Sequence, residues 1–281
     1  MSVLVFGRSG QVARELAAAS DDVTCLGRAE ADLDVPGTAE AAIRQARPRA
    51  VINAAAWTDV DGAEASEDAA YRLNAKAPGE IARACNVLGV PLVHISTDYV
   101  FDGAGETPFA PDDPTAPLGA YGRTKLAGEQ AVRAGGAAYV ILRTSWVFSA
   151  HGTNFPKTML RVGATRDRLR VVEDQIGGPT PASAIASACL TIAHALTNGA
   201  PSGIHHFAGA PDTSWAGFAR AIFEAANMNV EVEGIPAADW PTPAARPANS
   251  RLDCTTLRET FGIERPDWRS GLPALVRRLT D

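Results

Sequence analysis

The run Val3-Leu4-Val5-Phe6-Gly7-Arg8-Ser9-Gly10-Gln11-Val12-Ala13 decides the reading of the chain. Four consecutive apolar residues predict a buried strand, a Gly-rich turn follows, and Val12, Leu16 and Ala19 recur at helical spacing, so a helix opens at Gln11. A strand, a tight turn and a helix start make a cradle for a pyrophosphate. Glycine lets the backbone come close, and the helix N-terminus offers unpaired N–H groups and the positive end of its dipole. Ala13 stands where a small third residue lets the helix lie against the strand. Gly7, Ser9, Gly10, Gln11 and Val12 are therefore candidate cofactor-binding residues.

Outward from this turn, short apolar runs at 23–26, 50–54 and 91–96 alternate with Ala-rich helical stretches, one of them from about Ala65. Asp32-Leu33-Asp34-Val35 reads as a further short strand. A helix from Tyr121 to about Arg133 leads into YVILRTSWVF at 139–148, a sixth strand. Strands that are apolar throughout and alternate with helices predict an α/β fold: a Rossmann-type, doubly wound parallel sheet covered on both faces. Beyond it the alternation fades into segments richer in Pro, Trp and isolated charges. The expected division is a nucleotide-binding domain over 1–150 and a smaller, interleaved α+β substrate domain over 151–281, with a helix at about 182–197 returning to the first.

Composition narrows the partners. The chain has 281 residues, 46% of them hydrophobic, and a net charge of −6, so it can bury a core but carries no footprint for nucleic acid. A small-molecule partner is expected. The four cysteines, Cys25, Cys85, Cys189 and Cys254, stand singly with no CxxC and read as reduced thiols. The N-terminal apolar run is too short for a signal peptide. Residues 175–211 hold no Asp, Glu, Lys or Arg, yet their helical part is bracketed by Pro and Gly and falls short of the roughly 20 apolar residues a membrane span needs. A cytoplasmic protein without a membrane partner is expected.

Three further segments carry chemistry. The second strand ends in Leu26-Gly27-Arg28, where an arginine suits a ribose 2′-phosphate and an acid suits a free 2′-hydroxyl. Arg28 favours NADPH, and Glu30 nearby keeps NADH as the alternative. Asp32 and Leu33 stand where an adenine edge would lie, and Ala54-Ala55-Ala56 leaves room at a strand end for a flat cofactor. Tyr121-Gly122-Arg123-Thr124-Lys125 puts a phenol and an ammonium on one helix face, an arrangement that brings a phenol toward the working range of an acid or base. Ile95-Ser96-Thr97-Asp98-Tyr99 brings hydroxyls to the end of the preceding strand, where one can hydrogen-bond a carbonyl oxygen as hydride arrives.

With VLVFGRSGQVARELA, VINAAAWTDVDGAE, HISTDYVFDG, YGRTKLAGE, ILRTSWVFSAHGTNFPKTML, DQIGGPT and RPANSRLD in order from residue 3 to 253, the chain resembles the extended short-chain dehydrogenase/reductases. Within them it is similar to the dTDP-4-dehydrorhamnose reductase family. The resemblance implies reduction of the C4 keto group of dTDP-4-dehydro-L-rhamnose by NADPH. Tyr121 would donate the proton, Lys125 would hold the nicotinamide ribose and tune Tyr121, and Thr97 would polarise the keto oxygen. Asn74 joins the cofactor contacts. Asp98, Tyr99, Trp146, Asn154, Gln175 and Asn249 would line the nucleotide-sugar site, with Arg246 near the diphosphate.

Some members of that family bind a divalent metal at a subunit interface. Glu15 matches one of its ligand positions, but Ser183 stands at another, so no metal is expected; a monomer or a homodimer remains open. His205 and His206 are adjacent in a predicted strand and point to opposite faces. Two alternatives accompany the main reading: a reductase of another nucleotide-linked 4-keto-6-deoxy sugar, and a non-catalytic dinucleotide-binding regulatory subunit. Retention of Thr97, Tyr121 and Lys125 together favours an enzyme.

Overall fold

The computed structural model describes residues 1–280. Its centre is a parallel sheet of β1 (Val3–Phe6), β2 (Val23–Leu26), β3 (Ala50–Asn53), β4 (Leu92–Thr97), β5 (Tyr139–Thr144) and the strand Gly203–His206. Their order across the sheet is 203–206, β5, β4, β3, β1, β2. From β1 the chain moves one way to β2 and the other way to β3. A crevice therefore opens where the carboxyl ends of β1 and β3 part, the ligand position in such sheets.

The apolar runs are explained by cover on both faces. Successive residues of a strand point to opposite sides, so Val3 and Val5 join Val12 and Leu16 of α1 (Gln11–Ala19). Leu4 and Phe6 join Ile43 of α2 (Thr38–Ala46) on the other face. There α3 (Val60–Ala65), α4 (Glu67–Tyr71), a π-helical turn Arg72–Lys76 and α5 (Ala77–Leu88) lead to α6 (Ala120–Ala134). After α7 (Phe155–Gly163), α8 (Ala182–Thr197) packs beside α1 and buries Ile185, Ile192 and Leu196 against the first face, at about 1.5–3 kcal/mol for each large side chain. The smaller layer pairs Arg168–Val172 with Glu231–Ile235 and packs α7, α9 (Trp215–Ala225) and the helix Trp268–Thr280 around Phe218 and Trp268.

Three expectations are corrected. Asp32–Val35 is a turn, because the Asp32 carboxylate accepts from the Asp34 N–H, the Asp32 carbonyl accepts from Val35 N–H and Thr38 Oγ1, and Gly37 is left-handed at φ 86°. The run 139–148 breaks in two: its ladder with β4 ends at Thr144, Trp146 has φ 49°, and Val147–Phe148 pairs instead with Thr180–Pro181. The helix expected from about Ala65 begins at Val60, stops at Ser66 and passes through the π turn before α5.

Helix α6 lies unusually close to its neighbours. A side chain at Gly122 would put its Cβ 2.2 Å from the Tyr99 carbonyl oxygen, and one at Gly128 would put it 2.0 Å from the Asn74 carbonyl oxygen. These two glycines flank Lys125 by three residues on either side, so the absence of side chains lets the Lys125 face reach β4. Gly128→Ala is expected to cost about 1–3 kcal/mol through overpacking, read by urea denaturation, and to lower turnover as α6 is displaced. Unchanged stability would mean that the π turn gives way freely.

Candidate active site

The Gly-rich turn and the Ala run meet at the crevice. Gly7 has φ +106°, and a Cβ there would fall 3.2 Å from the Ala54 carbonyl and the Ala55 nitrogen. Any side chain would be both strained and blocked. Ala54 N–H donates to the Phe6 carbonyl at 2.9 Å and so closes the strand ends together. Gly10 is the N-cap of α1 without a side-chain cap, which leaves first-turn N–H groups available to an anion. Ser9 and Gly10 are exposed, Gln11 is half-buried and Val12 faces the core. This cradle fits the pyrophosphate of a dinucleotide.

At the end of β2 two arginines divide the expected role. Arg28 is 73% exposed and pairs with Asp34 at 3.0 Å and Asp32 at 3.6 Å. Arg8, missed in the sequence although it sits inside the Gly-rich turn, donates to the Cys25 carbonyl and pairs with Glu30 at 2.6 Å. Glu30 also accepts from the Gly27 N–H, and that bond, with Arg8 beside it, holds its carboxyl below the usual range. Leu33 is a core residue. Asn74 is fully buried and clamps the loop after β3 to α6: its oxygen accepts from Trp57 N–H at 2.8 Å, and its amide donates to Trp57 O and Thr124 Oγ1.

Thr97, Tyr121 and Lys125 converge where β4 ends. Lys125 is 2% exposed and its Nζ donates to the Ile95 carbonyl at 2.7 Å. Burial brings its ammonium down to about 8, while the Glu129 carboxylate pulls it up. Burial raises the Tyr121 phenol to about 12, against the hydrogen-bonding Thr97 hydroxyl and with Asp98 adding to the rise. The Lys125 ammonium is turned to the Ile95 carbonyl, and the neighbour that lowers the Tyr121 phenol is Thr97. Tyr99 meets the Tyr121 ring edge to face at 5.4 Å. Asp98 is sealed and accepts from Thr97 Oγ1 at 3.1 Å, with the Ser250 hydroxyl beside its carboxylate. Burial pushes its carboxyl up to about 6.

On the substrate side a cavity of about 600 Å³ is bounded by Tyr99, Gln175 and Arg246 together with Phe155, Trp215 and Trp240. The last three and Arg170 were not found from sequence; Phe155 and Trp215 open α7 and α9 and Trp240 lies in a loop, and only the tertiary fold brings them together. Trp146 stacks on Trp215 with ring centroids 3.6 Å apart. Arg246 is held bidentately by Asp61 of α3, at 2.8 and 3.0 Å. Two expected sugar contacts are used elsewhere. Asn154 caps α7 and donates to Gln11 Oε1 at 2.8 Å, and Asn249, 2% exposed, ties down Ala104 and Thr107. His205 and His206 take opposite sides, one against Thr256 and Phe261, the other against Phe109 O and Arg143.

Fold and site are those of the Rossmann-type, dinucleotide-dependent oxidoreductases. The family profile described as RmlD substrate binding domain matches residues 1–281. A dTDP-4-dehydrorhamnose reductase of Sinorhizobium fredii is 43% identical over 98% of this chain and 97% of its own. The crystal structure of a dTDP-4-dehydrorhamnose reductase from Clostridium acetobutylicum superposes with TM-score 0.94 at 35% identity, covering 100% of both chains. That of the Bacillus anthracis enzyme in complex with NADP gives 0.91 at 33%, covering 98% of this chain and 99% of that one. The chain belongs to this family of dTDP-4-dehydrorhamnose reductases.

The buried Asp98 makes a pH-dependent prediction. Its folded carboxyl is raised from 3.8 to about 6, so the folded state holds the proton more tightly. The stability this contributes is complete below about pH 4 and is lost as pH rises through about 6. Two units correspond to about 3 kcal/mol. Asp98→Asn is expected to stabilise the protein by up to about that amount near pH 7 in urea denaturation, with the gain shrinking toward pH 4.5. An equal effect at both pH values would contradict this.

Proposed function

We propose that this protein reduces the C4 keto group of dTDP-4-dehydro-L-rhamnose to dTDP-L-rhamnose with NADPH. The observation that carries the reading is the convergence of Thr97, Tyr121 and Lys125 at the end of β4, on the sheet whose crevice holds the Gly7 cradle. Family membership supplies the substrate, and the B. anthracis relative supports NADP as the cofactor. Among the described residues no helix is long and apolar enough to cross a membrane, which accords with a cytoplasmic site of action. A nucleotide-binding domain over 1–150, to which the helix 182–197 and the strand 203–206 return, and a substrate part in the rest of 151–281 complete this reading, with the protein a monomer or a homodimer.

NADPH supplies the hydride. Tyr121, kept protonated by burial, gives its proton to the keto oxygen as the oxygen becomes an alkoxide. Thr97 Oγ1 accepts from Tyr99 N–H and donates to Asp98; an arriving carbonyl oxygen competes with Asp98 for that donor and gains a hydrogen bond where charge develops. Lys125, anchored at Ile95, has two further N–H groups with which to hold the nicotinamide ribose. Trp146 and Tyr99 flank the sugar, the aromatic cavity takes the nucleotide, and Arg246 stands at its rim for the diphosphate.

Loss of NADPH absorbance with dTDP-4-dehydro-L-rhamnose, set against other nucleotide-linked keto sugars, tests the reading. Turnover with another 4-keto-6-deoxy sugar alone would overturn the substrate, and no oxidation with any would overturn the reductase. Tyr121→Phe is expected to keep NADPH binding and to lose about 10²- to 10⁴-fold in turnover; full turnover would take Tyr121 out of its role. Arg28→Ser is expected to raise the Kd of NADPH more than that of NADH. Equal losses would leave the 2′-phosphate to Arg8.

A further inference from the structure

One turn beyond Lys125 on the same face of α6 lies Glu129, 1% exposed, which none of the steps above uses. Ser96 Oγ donates to its Oε1 at 2.6 Å, Arg143 Nε donates to Oε1 at 2.9 Å, and Arg143 Nη2 donates to Oε2 at 2.7 Å. Arg143 is itself 2% exposed, donates to the Pro111 carbonyl, and lies over the Phe101 ring at 5.0 Å. A buried ion pair is weak evidence of added stability, since apolar residues of like volume can serve as well. Its location is what gives it meaning. Ile95 accepts from Lys125, Ser96 donates to Glu129, and Thr97 stands beside Tyr121, so three consecutive residues of β4 engage Tyr121, Lys125 and Glu129 at i, i+4 and i+8 of α6.

We propose that Glu129 is a positioning residue for the proton-transfer pair: fixed by Ser96 and Arg143 one turn beyond Lys125, its carboxylate sets the rotation of α6 on β4. The same carboxylate lies along the helix from Lys125 and opposes the loss of its proton. The inference rests on the reading of Tyr121 and Lys125 as the hydride-transfer pair. The charges around Lys125 make the argument specific. Along its own helix it meets Tyr121 and Glu129; from β4 it faces His94, which is buried, bonded to Asn53 and held neutral by burial and by Lys125 itself. Arg143 comes from β5 on the far side of the Glu129 carboxylate, with His206 behind it, and Asp98 and Tyr99 come from the turn after β4. Glu67 of α4 pairs with Arg123 of α6, and Arg72 of the π turn pairs with Glu80 of α5. Glu129 is thus the carboxylate that raises Lys125 against its desolvation.

The chain has three lysines, Lys76, Lys125 and Lys157, so lysine carrying a ¹³C label next to the amine gives three resonances that can be titrated by NMR without any turnover. In Glu129→Gln, which keeps the shape and removes the charge, Lys125 is expected to titrate about one to two pH units lower than in the wild type, and the alkaline limb of kcat/KM is expected to move down with it. Lys76 and Lys157 should not move. Glu129→Asp should restore most of the wild-type titration. If Glu129→Gln does not fold because Arg143 is left unpaired, Glu129→Gln/Arg143→Met carries the test, and Lys125 should titrate between the single variant's expected value and that of the wild type. An unmoved Lys125 resonance in the folded variant, or a loss of turnover with no displacement of the limb, overturns the proposal. Tyr121→Phe separates the two readings: if it is inactive while Lys125 is unmoved in Glu129→Gln, the pair stands and the role of Glu129 falls.

Discussion

The close seating of α6 on β4 is the constraint from which the rest of the site follows. Two glycines, Gly122 and Gly128, let the helix approach backbone oxygens at Tyr99 and Asn74 where a methyl group would collide. The approach takes Lys125 and Glu129 out of water, and each then needs a partner, because a buried charge left unpaired costs several kcal/mol. Ile95 O, Ser96 Oγ and Arg143 provide them. Tyr121, one turn earlier, is thereby fixed at the mouth of the crevice with its proton retained.

The sheet supplies the other half of the geometry. Reversal of strand order at β1 opens the crevice, Gly7 and Ala54 bring two strand ends into contact there, and α1 points its uncapped N-terminus at the gap. β4 lies next to β3, so its terminal hydroxyls emerge beside the same crevice. The Gly7 cradle and Tyr121 are therefore held by one hydrogen-bonded framework. The aromatic cavity of Trp215, Trp240 and Phe155 belongs to the smaller layer, and the Asp61–Arg246 pair joins that layer to α3 across the opening.

The sheet and the meeting of Thr97, Tyr121 and Lys125 were legible from sequence because each rests on local pattern: apolar runs for β1, β3 and β4, and a four-residue spacing for Tyr121 and Lys125. What escaped depends on contacts between distant segments. Asp32–Val35 has the composition of a strand end but lacks a neighbouring strand, and its side-chain and backbone hydrogen bonds fold it into a turn. Asn154 and Asn249 look like sugar ligands in one dimension, whereas their amides are taken up by Gln11, Ala104 and Thr107, as many as 145 residues away. Arg8 was hidden by its own motif, read for its glycines alone. Glu129 was invisible because its meaning comes from Arg143 on another element.

In the proposed reaction hydride passes across the crevice to a sugar carbon held beside Tyr121. Single-turnover reaction with NADPH deuterated at the transferable nicotinamide position, followed by mass spectrometry and NMR of the product, tests it most directly. One deuterium on C4 of the product sugar, and none exchanged with solvent, is expected. Product formed without the label, or with the label at another carbon, would contradict it.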